Sequence, residues 1–147
     1  MIHDVLTWPS NKLHERSGIV PIDEVGTLEF HQLVKDLIDT MKSHRGVGLS
    51  AIQIGVPKRV FVMQVSPTSS TQGLGHADVR VFVNPTIVEM TGDLIEMDEG
   101  CLSLPGVYEK VLRFDQVHVL AYDFFHPSKE ALWDLYGIEA QCARCLV

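Results

Sequence analysis

Basic residues, cysteines and long apolar runs are scarce in this chain, and each shortage closes off a class of function. Lys and Arg number 12 against 19 Asp and Glu, for a formal charge of −7. A surface that tracks phosphates needs clustered cations, and these are scattered, so nucleic acid is not an expected partner. Cysteine occurs three times, an odd number and too few for a disulfide scaffold, which suits thiols that stay reduced and available for chemistry. There is no run of about 18 apolar residues, and the opening MIHDVLTWPSNKLHE carries charges where a secretory signal needs unbroken apolar residues. The expectation is a chain with no membrane partner, sited in the cytoplasm, or in an organellar matrix if its source is eukaryotic. Internal repeats and linkers are also missing. What is present is apolar material, 46% of 147 residues, enough for one core and a single domain over residues 1–147.

Leu28, Phe30, Leu33, Val34, Leu37, Ile38 and Met41 recur at three- and four-residue steps, predicting an amphipathic helix over 27–44 with Gly46 placed to stop it. Strands are expected at 59–65, 79–83, 87–90, 94–97 and 116–122, with Pro85 ending or edging the second because it has no N–H to give a ladder. The polar stretch PTSSTQGLGHAD reads as a loop, and Trp133 onward as a helix with Ile138, Cys142 and Cys145 at helical spacing. Short strands without regular intervening helices imply an α+β fold with mainly antiparallel pairing.

Two stretches look chemical. In Gly46-Val47-Gly48-Leu49-Ser50-Ala51-Ile52-Gln53, the glycines let another backbone approach closely, and Gln53 offers a neutral amide that can donate to a carbonyl oxygen as charge develops there. The plainer reading is a helix cap, a tight turn and a solvated glutamine. In Glu99-Gly100-Cys101-Leu102-Ser103, a cysteine beside a carboxylate and small residues can be a thiolate ligand or a nucleophile. A lone cysteine can equally be a small buried hydrophobe.

Taken together, GVGLSAIQ resembles the first signature of the peptide deformylases, G-x-G-L-[AS]-A-x-Q, and EGCLSLPG resembles the second, E-G-C-L-S-x-P. LTWPSNKLHERSGIV, FVNPTIVE, Arg113 and VHVLAYD are similar to further stretches of the family, so the resemblance covers most of the chain. It implies an α+β domain with mainly antiparallel sheets packed around a central helix. It also implies hydrolysis of the N-formyl group from the initiator methionine of new polypeptides at a ferrous iron, replaceable by zinc or nickel. Cys101 would be the thiolate ligand, while Gln53 and the backbone N–H of Leu102 would stabilise the oxyanion. Val47, Gly48, Leu49, Glu99 and Gly100 would line the peptide as an added strand.

The family's two remaining ligands and its general base lie in H-E-x-x-H, where histidines at i and i+4 share one helix face and the glutamate serves the metal-bound water. This sequence has no H-E-x-x-H. Gly137-Ile138-Glu139-Ala140 matches the opening of that third signature, and counting on puts Cys145 where the first histidine belongs; a second register sets ARCLV just upstream of H-E, and in both the two histidine ligands and the base are absent. His14, His31, His44, His76, His118 and His126 are dispersed, without a histidine four residues away, and His3 lies near the start. Cys145 could meet Cys101 as a second thiolate, and Cys142 with Cys145 could form a redox pair. Both could instead be apolar packing residues, which is the reading favoured here. The expectation is a chain that as written hydrolyses formyl-methionyl peptides slowly or not at all. It would be either an incomplete enzyme or a deformylase-like peptide-binding protein, and the sheet surface that the missing part of the helix would cover would be covered by a partner, such as a second subunit, or belong to a longer natural chain of which this is a fragment or frame-shifted product.

Overall fold

The computed structural model describes residues 1–64, 79–136 and 146. Helix α1, Leu28–Ser43, begins after Thr27, whose side-chain oxygen accepts the Phe30 N–H at 3.2 Å and so satisfies one of the free donors of the first turn. Phe30, Val34, Leu37 and Met41 are buried along one stripe, as the spacing predicts. Asp36 and Thr40 are buried with them because the N-terminal segment lies over them. His3 N–H donates to Thr40 Oγ1 at 3.0 Å. The Asp36 carboxylate is ringed by the Met1 ammonium, His3 Nε2 at 2.9 Å and Gln32 Nε2 at 2.7 Å. Burial pushes this carboxyl up, but the hydrogen bonds from the ammonium, His3 and Gln32 outweigh it and hold the pKa at about 2.

The described strands make one antiparallel sheet in the order β1 (Gly48–Ser50), β2 (Val60–Met63), β3 (Arg80–Cys101), β4 (Leu104–Asp123) and β5 (His126–Tyr136). Strand β2 is buried on both faces, which explains its unbroken apolar run VFVM. Val60 and Val62 join Val81, Val83 and the α1 stripe in one core. Phe61 and Met63 join Phe82, Val117, Val119, Ala121 and Leu135 in a second, where the Phe61 and Phe82 rings stack at 4.7 Å. Partly buried Trp133 and Leu146 pack against that second core.

Three expectations need correction. The strands expected at 79–83, 87–90 and 94–97 are parts of β3, one strand of 22 residues. Its ladder with β4 shifts register between Val83 and Thr86, Ile87 and Glu89, and Thr91 and Leu94, and these irregularities break the alternation that would have announced a single strand. Pro85 does not end the strand. It lies within the first irregularity, where the ladder makes no demand on its missing N–H, after Asn84 in a left-handed conformation (φ 51°). The Asn84 side chain accepts from Val20 N–H and donates to Val20 C=O, both at 2.8 Å. Finally, Trp133 to Tyr136 belong to β5 rather than a helix, with Trp133 opposite Val119 and Leu135 opposite Val117. Leu135 faces the core while Leu132 and Tyr136 are exposed, so the period there is two. Residues 138, 142 and 145 and the polar stretch 67–78 lie outside the described residues. Among the described residues no helix is long and apolar enough to cross a membrane.

Two measurements test this packing. Leu37, fully buried, should cost about 2–5 kcal/mol on Leu37→Ala in urea unfolding, whereas Leu28→Ala, at an 89% exposed position, should stay within about 0.5 kcal/mol. For Asp36 the folded pKa lies below the unfolded value of 3.8, so its contribution is present above that pH and is lost as pH falls toward about 2. Unfolding followed from about pH 5 downward should show the unaltered protein losing more stability over this window than Asp36→Asn.

Candidate functional site

The segment that leaves α1 turns at Gly46 into β1, the edge strand of the sheet, and then into a single 3-10 turn, Ala51–Ile54. Gly46 gives Leu102 room: a Cβ there would lie 2.7 Å from Leu102 Cδ1, so any larger residue would make the Leu102 side chain shift. Leu49 is fully buried in the helix-side core and pairs with Val62 of β2, while Val47 is half exposed.

Ser50 and Gln53 form a capping box across the 3-10 turn. The Ser50 hydroxyl accepts the Gln53 backbone N–H, and the Gln53 side-chain oxygen in turn accepts the Ser50 backbone N–H at 3.0 Å and the Ser50 hydroxyl at 3.1 Å. The turn ends at Gly55, in a left-handed conformation (φ 83°).

The other half of the site comes from the far end of the sheet. Strands β3 and β4 form a long hairpin whose end pair is Cys101 and Leu104, with Leu102 and Ser103 as the connecting turn. This tip reaches the 3-10 turn: Gln53 Nε2 donates to Ser103 Oγ at 3.1 Å and lies 3.7 Å from Cys101 Sγ. The N-terminal segment clamps both sides, with Leu6 N–H donating to Gln53 C=O at 2.7 Å and Trp8 N–H to Ser103 C=O at 2.9 Å. Gln53 and Ser103 are buried, and Cys101 is exposed. The structure thus brings Gln53, Cys101 and Leu102 to one place, with Gly48 opening the neighbouring edge strand and Val47 just before it.

Glu99 and Gly100 stand just below the tip on β3. Arg113, from β4, grips the Glu99 carboxylate with Nε and with Nη2, the latter at 2.7 Å, a two-point pairing that fixes the carboxylate in plane. Three residues of the site, Ser50, Ser103 and Arg113, are assigned no role by the sequence reading. Ser50 was detectable, because S-x-x-Q is itself the capping-box pattern. Ser103 and the Arg113 pairing had no local signal, since they depend on contacts 50 and 14 residues apart.

A metal of the kind the sequence resemblance implies needs about three protein donors. Cys101 offers one, and among the described residues no three His, Cys, Asp or Glu side chains gather to hold an ion. Cys145 lies outside them. The described donor set therefore does not fit such a metal.

Comparison with known proteins points one way. The family model for polypeptide deformylase matches residues 2–144. The peptide deformylase of Maricaulis maris is 38% identical over 123 residues, 84% of this chain and 66% of that protein. That of Neisseria gonorrhoeae is 38% identical over 118 residues, 80% of this chain and 64% of that protein. The chain thus spans about two thirds of the length of these relatives. Among solved structures, the Ehrlichia chaffeensis peptide deformylase in complex with actinonin superposes with a TM-score of 0.82 at 29% identity, covering 97% of this chain and 80% of that one. With a family match over nearly its whole length, the chain belongs to the polypeptide deformylase family.

Proposed function

We propose that these residues form the part of a deformylase that receives the formyl-methionyl end of a nascent polypeptide. One observation carries the reading: the buried Gln53 amide lies against both Ser103 and Cys101, beside the edge strand β1. An extended peptide can add to that edge through the backbone of Gly48, next to Val47, whose carbonyl Gln64 N–H holds at 2.8 Å, with Glu99 and Gly100 on its other side. The sulfur contact of Gln53 Nε2 is long, 3.7 Å, and so is readily exchanged for a carbonyl oxygen at ordinary hydrogen-bond distance. In this reading Gln53 and the Leu102 N–H are the two donors to the formyl oxygen, where preorganised donors count most as negative charge builds.

Hydrolysis is a separate matter. With no H-E-x-x-H in the 147 residues and one thiolate in the described donor set, the reading for the chain as written is binding with little or no turnover. Binding of formyl-Met-Ala-Ser and of Met-Ala-Ser, compared by calorimetry, tests the first part. The formylated peptide should bind more tightly, and Gln53→Leu should remove the preference. Equal binding of both peptides to the unaltered protein would end the proposal. An assay with added ferrous or nickel ion tests the second: turnover should lie at least about 10²–10⁴-fold below that of an ordinary deformylase, and turnover near the ordinary level would refute it.

A further inference from the structure

The Gln53 amide serves as a donor only if its nitrogen faces the cleft, and a primary amide can present either end. A half-turn about its last carbon–carbon bond exchanges oxygen and nitrogen with little change in shape. We infer that Ser50 and Ser103 are positioning residues that hold this amide in the donor orientation. The functional consequence rests on the formyl-receiving role proposed above, while the orientation itself does not.

The argument is one of donor and acceptor accounting. The Ser50 backbone N–H can only donate, and at 3.0 Å it accepts no alternative to an oxygen at the near end of the amide. The Ser50 hydroxyl lies 3.1 Å from the same oxygen and adds a second donor to it, while the backbone N–H, which has no acceptor capacity, is what fixes the choice. With Oε1 claimed twice, Nε2 is driven outward. There one of its hydrogens goes to Ser103 Oγ at 3.1 Å, and the other is left toward Cys101 and the cleft. A flipped amide would set N–H against the Ser50 backbone N–H, a contact without a hydrogen bond.

Burial makes the arrangement stiff. Ser50, Gln53 and Ser103 are 9%, 6% and 7% exposed, so water does not readily take the place of a deleted hydroxyl, and the amide end facing it would be left unpaired. The backbones are held independently, by Leu6 N–H on Gln53 C=O and Trp8 N–H on Ser103 C=O. Removing the Ser103 hydroxyl therefore frees the amide without freeing the turn that carries it.

Nuclear magnetic resonance of the Gln53 side-chain NH₂ group reads the orientation directly. In the unaltered protein its order parameter should match rigid backbone, about 0.85, with through-space contacts from the amide protons to the β protons of Ser103 and Cys101. Ser103→Ala should drop the order parameter below about 0.6 and weaken the Cys101 contact, and Ser103→Thr, which keeps the hydroxyl, should restore both. In binding, Ser103→Ala should cut the preference for formyl-Met-Ala-Ser over Met-Ala-Ser by about three- to tenfold, the weight of one hydrogen bond, and leave Met-Ala-Ser affinity unchanged. An order parameter unmoved by Ser103→Ala, or equal loss of affinity for both peptides, would overturn the inference. If the unaltered protein binds neither peptide, the formyl-receiving role fails, and the resonance experiment still decides the orientation. Should Ser103→Ala fail to fold, Ser50→Ala gives the same reading from the other end of the amide.

Discussion

A buried primary amide has four hydrogen-bonding positions, two on oxygen and two on nitrogen, and each one left empty away from water costs free energy. Gln53 fills all four inside the protein: Ser50 N–H and hydroxyl on its oxygen, Ser103 Oγ and Cys101 Sγ on its nitrogen. Those partners come from the 3-10 turn after β1 and from the tip of the β3–β4 hairpin, so satisfying one side chain requires both ends of the sheet to be in register with one another. The same requirement places a thiol and a primary amide side by side, next to strand β1. Site and fold share a constraint, and neither can be adjusted without the other.

The two cores supply the rigidity this arrangement needs. On one face of β2 the valines meet α1, and on the other Phe61 stacks on Phe82 with Trp133 edge-on at 5.3 Å. Both faces of the inner strands are thus packed, while the outer half of the hairpin carries exposed Leu94, Leu112 and Phe114 on one face. What steadies the hairpin's tip is its contacts with the 3-10 turn and the N-terminal segment, together with the two-point grip of Arg113 on Glu99.

Legibility in the sequence followed the range of the interactions. Helix α1 was readable to within a residue at each end because its signal is local: Thr27 as cap, apolar residues at helical steps, Gly46 beyond the end. Antiparallel pairing was readable from the absence of intervening helices. The length of β3 was hidden by its own register shifts, since each one reverses which residues face inward, and Leu132 and Leu135, three apart, fit a helix as well as a strand until the pairing with β4 is known. At the site, composition left Gln53 and Cys101 ambiguous, and only the family resemblance linked them. Ser103 stayed invisible because nothing near position 103 indicates a partner at position 53.

The hairpin also limits how the gene can change. From Leu94 to Gly100 the ladder with β4 runs without a break, opposite Phe114 to Tyr108, and alternate residues point to opposite faces throughout. Loss or gain of a single codon within that stretch would exchange its two faces up to Gly100, where the ladder shifts register again before Cys101. Drift in length along this arm is therefore confined to even steps matched on both strands, or to the irregular points on either side of the stretch, where an extra residue can be absorbed.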